Sequence, residues 1–294
     1  MFLLNFALFN LFFVLVAVAS LDRGSIVPGE LSKKMCKEYS HFVPQSQQCG
    51  AGILNEGRYA AEQEFPHMVM LGTKVGEEIT WYCGGSLISE QFVLVAAHCL
   101  VSRSDAPELV RLGVISLDDS EHSQDIKIKE LIVHPEYKRP SYYNDIGLVK
   151  LEKKVDINDH VRPACLHTQR EIEGMLAISS IWGPTQQQLG NLDSTLQRNI
   201  LWIYDPEKCN IYFKSINGSK MLQNGITSET MVCSGTNSTN NVLRGGGPLQ
   251  LFHKEYSCMY DIIGIGSFGG AVDQPSIFTR TSAYISWIEE KVWK

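Results

Sequence analysis

The 294-residue sequence predicts an all-β fold, a sandwich or a barrel, ended by one short helix. Three observations predict it. From about residue 65 onward short apolar or alternating runs recur along the chain. Clusters of Gly, Pro, Asn and Asp separate them, and these are the residues that turns require. Only the last run changes period, with apolar side chains at Tyr284, Ile285, Ile288 and Val292.

Taken in order, the first 19 residues, MFLLNFALFNLFFVLVAVA, carry no Lys, Arg, Asp or Glu and end in Ala17-Val18-Ala19, a small-x-small cleavage pattern. Residues 1–19 read as a secretory signal peptide. An uncleaved anchor is the alternative, since a run of this length just spans a bilayer, but Ser20 and Asp22-Arg23-Gly24 fit cleavage better. No later segment is apolar for long enough to span, so no membrane span is expected after cleavage. Residues 20–53, with Pro28, Pro44, Gln45, Gln47 and Gln48, read as an extended, poorly structured segment. Its two cysteines are too few for a disulfide-knotted module. The strand candidates follow: HMVML, CGGSLIS, FVLVAAHC, IKIKELIVH, IGLVKL, MLAISSIW, YDIIGIGSF and SIFTRT. SAYISWIEEKVW is the closing amphipathic helix, with Ser282 at its cap.

Composition narrows the function classes. With a net charge of −6, nucleic acid and anionic membrane surfaces are poor partners. Eight cysteines, an even number, suit an oxidised extracellular protein, although counting leaves about 105 pairings open. There is no CxxC and no His/Cys cluster at zinc spacing, so neither a metal nor a cofactor is expected. Asp118-Asp119-Ser120-Glu121 reads as a solvated acidic loop, not a calcium site. Asn217-Gly218-Ser219 and Asn237-Ser238-Thr239 are glycosylation sequons.

The stretch NNVLRGGGPLQL, residues 240–251, carries the functional question. Upstream, VLVAAHC puts His98 directly after an apolar strand and beside Cys99, and NDIGLVKL puts Asp145 at the head of another strand. Singly, a His or an Asp in such places is usually structural. With FPHMVML, CGGSLIS, VRPACL, Leu196-Gln197, SFG and PSIFTRTSAYISWI in matching order, the chain resembles the trypsin/chymotrypsin family of serine proteases from about residue 49 to its C-terminus. KMCKEYS, VRPACL and CMYDIIGIGSFG resemble the arthropod snake-type, clip-related members. The resemblance implies a domain over 54–294: two six-stranded antiparallel β-barrels, about 54–165 and 166–282, and a C-terminal helix over 283–294. It also implies disulfides Cys83–Cys99, Cys49–Cys165 and Cys209–Cys233, which leaves Cys36 and Cys258 as a fourth pair.

In that family a serine attacks the carbonyl, a His takes its proton, and an Asp holds the His tautomer. His98 and Asp145 match the base and the orienting acid. The nucleophile loop reads Gly-Asp-Ser-Gly-Gly-Pro in the family and Leu243-Arg244-Gly245-Gly246-Gly247-Pro248 here, so residue 245 offers no oxygen. Leu243 replaces the oxyanion-hole glycine, whose donated N–H is worth about 2.7–4 kcal/mol in the transition state. Arg244 replaces the aspartate that pairs with a newly freed N-terminal ammonium. A guanidinium there would repel it by roughly 4 kcal/mol at ~4 Å and an effective dielectric of about 20. The cleavage site itself matches Leu54-Asn55-Glu56-Gly57, and residues 38–57 contain no Lys or Arg. In the specificity pocket the family's aspartate position matches Thr239 and a wall glycine matches Ser276, with Ser267 and Gly269 from SFG beside them; Asn241 and Ala271 replace a disulfide pair. These losses imply a secreted, proteolytically inactive homologue. It would act as a binding partner or cofactor in an extracellular proteolytic cascade such as innate immunity, with extracellular proteases or their substrates as partners. A working protease with a rearranged site, and a carbohydrate- or microbe-binding protein on the same scaffold, are the alternatives.

Overall fold

A computed structural model of the chain describes residues 27–44, 59–101, 106–172, 176–183, 194–236, 246–269 and 274–294. Six strands form the first closed barrel: β1 (Met68–Val75), β2 (Glu78–Leu87), β3 (Phe92–Val95), β4 (Leu109–Leu112), β5 (Gln124–Val133) and β6 (Gly147–Leu151), in the order β1-β2-β3-β6-β5-β4. Its sequence logic is direct. The run FVLV of β3 is buried at all four positions, as a strand enclosed on both faces requires. The β1–β2 hairpin turns through Gly76 and Glu77 between the paired Val75 and Glu78, and Gly76 has φ +66°, the left-handed conformation that a two-residue hairpin turn needs.

The second barrel joins β8 (Leu176–Ile181), β9 (Gln197–Tyr204), β10 (Met231–Gly235), β11 (Pro248–Phe252), β12 (Tyr260–Gly269) and β13 (Ser276–Arg280) in the order β11-β8-β9-β10-β13-β12. A β11–β12 pairing closes it, and β7 (Cys165–Leu166) adds in parallel to β12. The predicted runs all fall in these strands. β4, β7, β9, β10 and β11 lie outside those runs. In β9 the sequence Ile200-Leu201-Trp202-Ile203-Tyr204 is apolar throughout, so no alternation marks it, and Ile200 and Trp202 lie on the exposed face.

Three clusters hold the molecule together. Val69, Leu87, Leu94, Leu112 and Leu148 fill the first barrel, and Leu201, Val232, Leu249 and Phe278 the second. Phe65, Met68, Met70, Ile178, Trp182 and Tyr260, drawn from both, seal the joint between them. A short helix, α3 (Pro206–Tyr212), follows β9, and the closing helix α4 spans Ile285–Val292 and seats Ile285 and Ile288 in the first barrel's core. A 3₁₀ turn over Thr281–Tyr284 leads into it, so Tyr284 and not Ser282 occupies the cap, with no side-chain cap bond.

The N-terminal segment departs from the expectation of extended chain. Glu30–Ser40 is a helix, α1, that buries Ser32, Cys36 and Tyr39 at helical spacing. No residue of its own caps it. Instead the buried Glu289 of α4 accepts from Gly29 N (3.1 Å), Ser32 N (2.8 Å) and Ser32 Oγ (2.9 Å), placing a carboxylate where the first-turn N–H groups need an acceptor. Trp293 Nε1 donates to Tyr39 Oη at 3.2 Å.

The docking of α1 corrects two disulfides. Cys165 pairs with Cys36, not Cys49, with Cα atoms 5.0 Å apart, so the Cys36–Cys258 pairing also falls. The helix carries Cys36 onto β7, and that contact is tertiary, not sequential. Cys258 is itself disulfide-bonded, to a partner outside the described residues. Cys83–Cys99 and Cys209–Cys233 form as the resemblance implied. Among the described residues no helix is long and apolar enough to cross a membrane.

Candidate functional site

His98 sits in a short helix, α2 (Ala97–Val101), that starts where β3 ends. The Cys83–Cys99 disulfide ties that turn to β2. Asp145 stands just before β6 and is buried, with a side-chain exposure of 1% against 26% for His98. Its carboxylate is held from three directions. Oδ1 accepts the His98 backbone N–H at 2.8 Å. Oδ2 accepts from His98 Nδ1 at 2.8 Å and from Ser267 Oγ at 2.5 Å. Thr279 Oγ1 also donates to the Asp145 carbonyl at 2.9 Å. Ser267 and Thr279 belong to the second barrel, so this one buried acid bonds both halves of the molecule. Three charge-assisted bonds compensate its desolvation.

The carboxylate can only accept, so the His98 ring proton lies on Nδ1 and Nε2 presents a lone pair. This is the tautomer of a general base. Nε2 lies 3.6 Å from Cys99 Sγ, a disulfide sulfur with no proton to give.

The opposite wall is the end of the glycine-rich loop. Gly246 N donates to Gly266 O at 3.0 Å, and Gly266 N to Gly247 O at 2.9 Å, which anchors the entry to β11. Gly246 has φ +83°, and a Cβ there would lie 2.4 Å from Gly84 O and 3.1 Å from Cys99 Sγ. Only glycine fits between the barrels at this point. Of the pocket residues, Gly269 of β12 pairs with Ser276 of β13, whereas the Ser267 hydroxyl is turned to Asp145. Leu54, Thr239, Asn241, Leu243, Arg244, Gly245 and Ala271 lie outside the described residues, as do Asn237 and Cys49. At Asn217, the other sequon, Nδ2 donates to Asn210 O (3.4 Å) and Oδ1 (3.2 Å).

Sequence reasoning missed an aromatic cover beside these groups. Tyr142 stacks on Phe268 with centroids 4.0 Å apart, and Phe213 meets the same ring edge-on at 5.3 Å. The loop that carries Tyr142 is bolted to the second barrel. Tyr142 N donates to Met221 O at 3.0 Å, and Tyr143 Oη donates to Gly225 O and accepts from Asn224 N, both at 2.8 Å. Burial, and next the Asp145 charge, push the Tyr142 phenol upward and that of Tyr137 up to about 12, so both stay protonated and neutral. The aromatic pair Tyr142-Tyr143 two residues before Asn144-Asp145 was the available signal.

Two His/Cys groups are close enough to suggest a metal, Cys36-Cys165-His253 and Cys83-His98-Cys99. In each the two sulfurs are bonded to one another, so neither supplies a thiolate ligand.

The two closed barrels with a His–Asp pair at their junction agree with what known proteins show. The trypsin family model matches residues 54–288. The serine protease snk of Drosophila melanogaster is 36% identical over 242 residues, covering 78% of this chain and 54% of that protein. The chain thus spans about half the length of this relative. Phenoloxidase-activating factor 3 of Holotrichia diomphalia is 32% identical over 252 residues, covering 78% of this chain and 69% of that protein. Among solved structures, neuropsin, a serine protease expressed in the limbic system of mouse brain, superposes with a TM-score of 0.63 at 30% identity, over 80% of this chain and 98% of its own. By its matched domain, its two barrels and its His–Asp pair, this chain belongs to the trypsin family.

Proposed function

We propose that the chain is a secreted, proteolytically inactive member of the trypsin family that acts through its surface on extracellular proteases or their substrates. The observation that carries this reading is Gly245. It precedes Gly246, which packs against Cys99 next to His98, and it stands where the family motif has its nucleophile. The residues around it support the same reading: Leu243 in place of the oxyanion-hole glycine, and Arg244 in place of the activation-lock aspartate. A base without a hydroxyl to deprotonate does no acyl transfer.

The kinship to a relative named phenoloxidase-activating factor supports a place in an extracellular proteolytic cascade of innate immunity. Disulfides and the apolar first 19 residues support secretion. On this reading residues 1–19 are removed, 20–53 form the N-terminal segment, and 54–294 the protease-like domain. With no Lys or Arg in 38–57, that segment stays joined when trypsin-like proteases act. A glycan on Asn237 would stand near the former specificity pocket.

The test is a fluorophosphonate probe together with short chromogenic peptides, applied to the secreted protein before and after trypsin treatment. No labelling and no turnover are expected. Labelling that disappears in a His98→Ala variant would overturn the proposal.

A further inference from the structure

Away from the His–Asp pair, a cavity of about 240 Å³ opens where α1 meets the second barrel. Lys33 and Cys36 of α1 form one side, Thr168 and Gln169 after β7 the rim, and His253, Tyr256 and Asp261 the far wall. No lining residue bonds to His98 or Asp145. The space is below the roughly 300–1,000 Å³ of sites for drug-sized ligands, so it suits one small polar ring.

Its chemistry is set by His253 and Asp261. The backbone N–H groups of Glu255 and Tyr256 both donate to His253 Nδ1, at 3.1 Å each. Nδ1 is therefore the acceptor, and the ring proton lies on Nε2. Nε2 faces Asp261 Oδ1 across 3.9 Å, too far for a direct hydrogen bond. An oxygen placed about 2.8 Å from both would meet them at an angle of about 90°, a reachable geometry for one hydroxyl. Such a hydroxyl accepts from Nε2–H and donates to the carboxylate, which neither an ammonium nor a carboxylate ligand can do. Beside this gap the Tyr256 ring lies flat on His253, centroids 4.6 Å apart and 18° between planes, and holds the imidazole in place, while Phe252, which also lines the cavity, stands partly exposed at the edge. A partly exposed apolar ring next to a paired donor and acceptor matches the two sides of a sugar ring. Burial holds the Asp261 carboxyl above its ordinary value, with His253 and Lys254 opposing; an incoming hydroxyl donor relieves that cost.

We infer that this cavity is a carbohydrate-binding site, taking a single sugar ring whose hydroxyl bridges His253 and Asp261 and whose apolar face meets Phe252. The site exists only with α1 docked, since that helix supplies one of its walls, and it does not depend on whether residue 245 supports catalysis.

Saturation-transfer NMR and calorimetry with the full secreted chain would test it, using glucose, galactose, mannose, N-acetylglucosamine and glucuronate. At least one should bind in the millimolar range. Asp261→Ala should weaken that binding about tenfold or more, by loss of a charged hydrogen bond. Gln169→Trp, at an exposed rim position, should block the cavity and abolish binding without lowering the melting temperature, which keeps the test valid if Asp261→Ala unfolds. The inference is overturned if no sugar binds, if both variants bind like the parent, or if acetate or methylammonium occupies the cavity and the sugars do not.

Discussion

The two walls of the inter-barrel cleft have had different fates. On the first-barrel wall, His98 and Asp145 keep a complete set of hydrogen bonds, three to the carboxylate and one to its backbone carbonyl. On the other, the backbone of Gly246 and Gly247 is pinned to Gly266, while on the proposed reading Leu243, Arg244 and Gly245 stand where the family has its chemical groups. What persists on both walls is what also holds the barrels together. Asp145 accepts from Ser267 and supports Thr279 across the joint, and Gly246 fits a gap that no Cβ can enter. A nucleophile has no comparable structural duty. On the proposed reading its replacement by glycine costs the fold little, whereas loss of a buried, multiply bonded acid leaves several donors without partners.

The largest expected effect concerns activity. If only the serine were missing, Gly245→Ser would restore hydrolysis. Turnover should instead remain at the level of its His98→Ala control, because Leu243 and Arg244 remain and triad members act as a unit. Measurable activity should require Leu243→Gly, Arg244→Asp and Gly245→Ser together with an Arg-Ile-Val-Gly cleavage site at 53–56. Chromogenic peptide assays on the activated variants decide it, and strong turnover from Gly245→Ser alone would erase the contrast between the walls.

Next in size is the stability of the retained pair. Asp145→Ala should cost about 3 kcal/mol, since it strands the His98 N–H, the Ser267 hydroxyl and the His98 ring proton. His98→Ala, at a partly exposed side chain, should cost about 1 kcal/mol or less. Urea denaturation of the two variants measures the difference. Equal losses would mean that Asp145 has no structural role beyond its histidine.

A comparable effect should follow from pH. His67 lies in the joint, where its Nε2–H donates to Gln250 Oε1 at 2.6 Å and Gln250 Nε2 donates to Ser180 Oγ at 2.9 Å. Burial pushes its pKa down to about 4. The folded protein therefore keeps His67 neutral while the unfolded chain takes up a proton below about pH 6.5. Stability is full above that value and falls as pH drops toward 4, by up to about 3 kcal/mol from this group. Denaturation midpoints at pH 7.5 and 4.5 should show the fall, and His67→Gln should flatten it.

The most local effect belongs to α1. Glu289→Ala removes the acceptor for three donors at its N-terminus and should cost about 1–2 kcal/mol. The loss should be confined to the helix, with hydrogen exchange accelerated over 29–33 and unchanged in β3 and β6.

How much was legible depended on the range of the interaction concerned. FVLV announced β3 because a strand buried on both faces must be apolar throughout, and GLVKL announced β6, buried except at the half-exposed Lys150. The pairing of His98 with Asp145, 47 positions apart, was readable only through the motifs around each residue. Neither periodicity nor composition links them. For the stack of Tyr142 on Phe268 the Tyr142-Tyr143 pair was the one signal, and nothing in the sequence names Phe268 as the partner, since each aromatic alone looks like ordinary core.

Residue identity by itself determined the chemistry that position 245 can offer: glycine has no side-chain oxygen in any conformation. It also determined the absence of a basic cleavage residue over 38–57. The partner of Cys165 was a decision of the tertiary structure. SKKMCKEYS has too few apolar residues to declare a buried helix, and its burial depends on Glu289, 257 positions away from Ser32, and on the β7 surface that receives Cys36. A disulfide forms between whichever sulfurs the fold brings within bonding distance, and the fold brought Cys36 there by docking a helix whose cap lies at the other end of the chain.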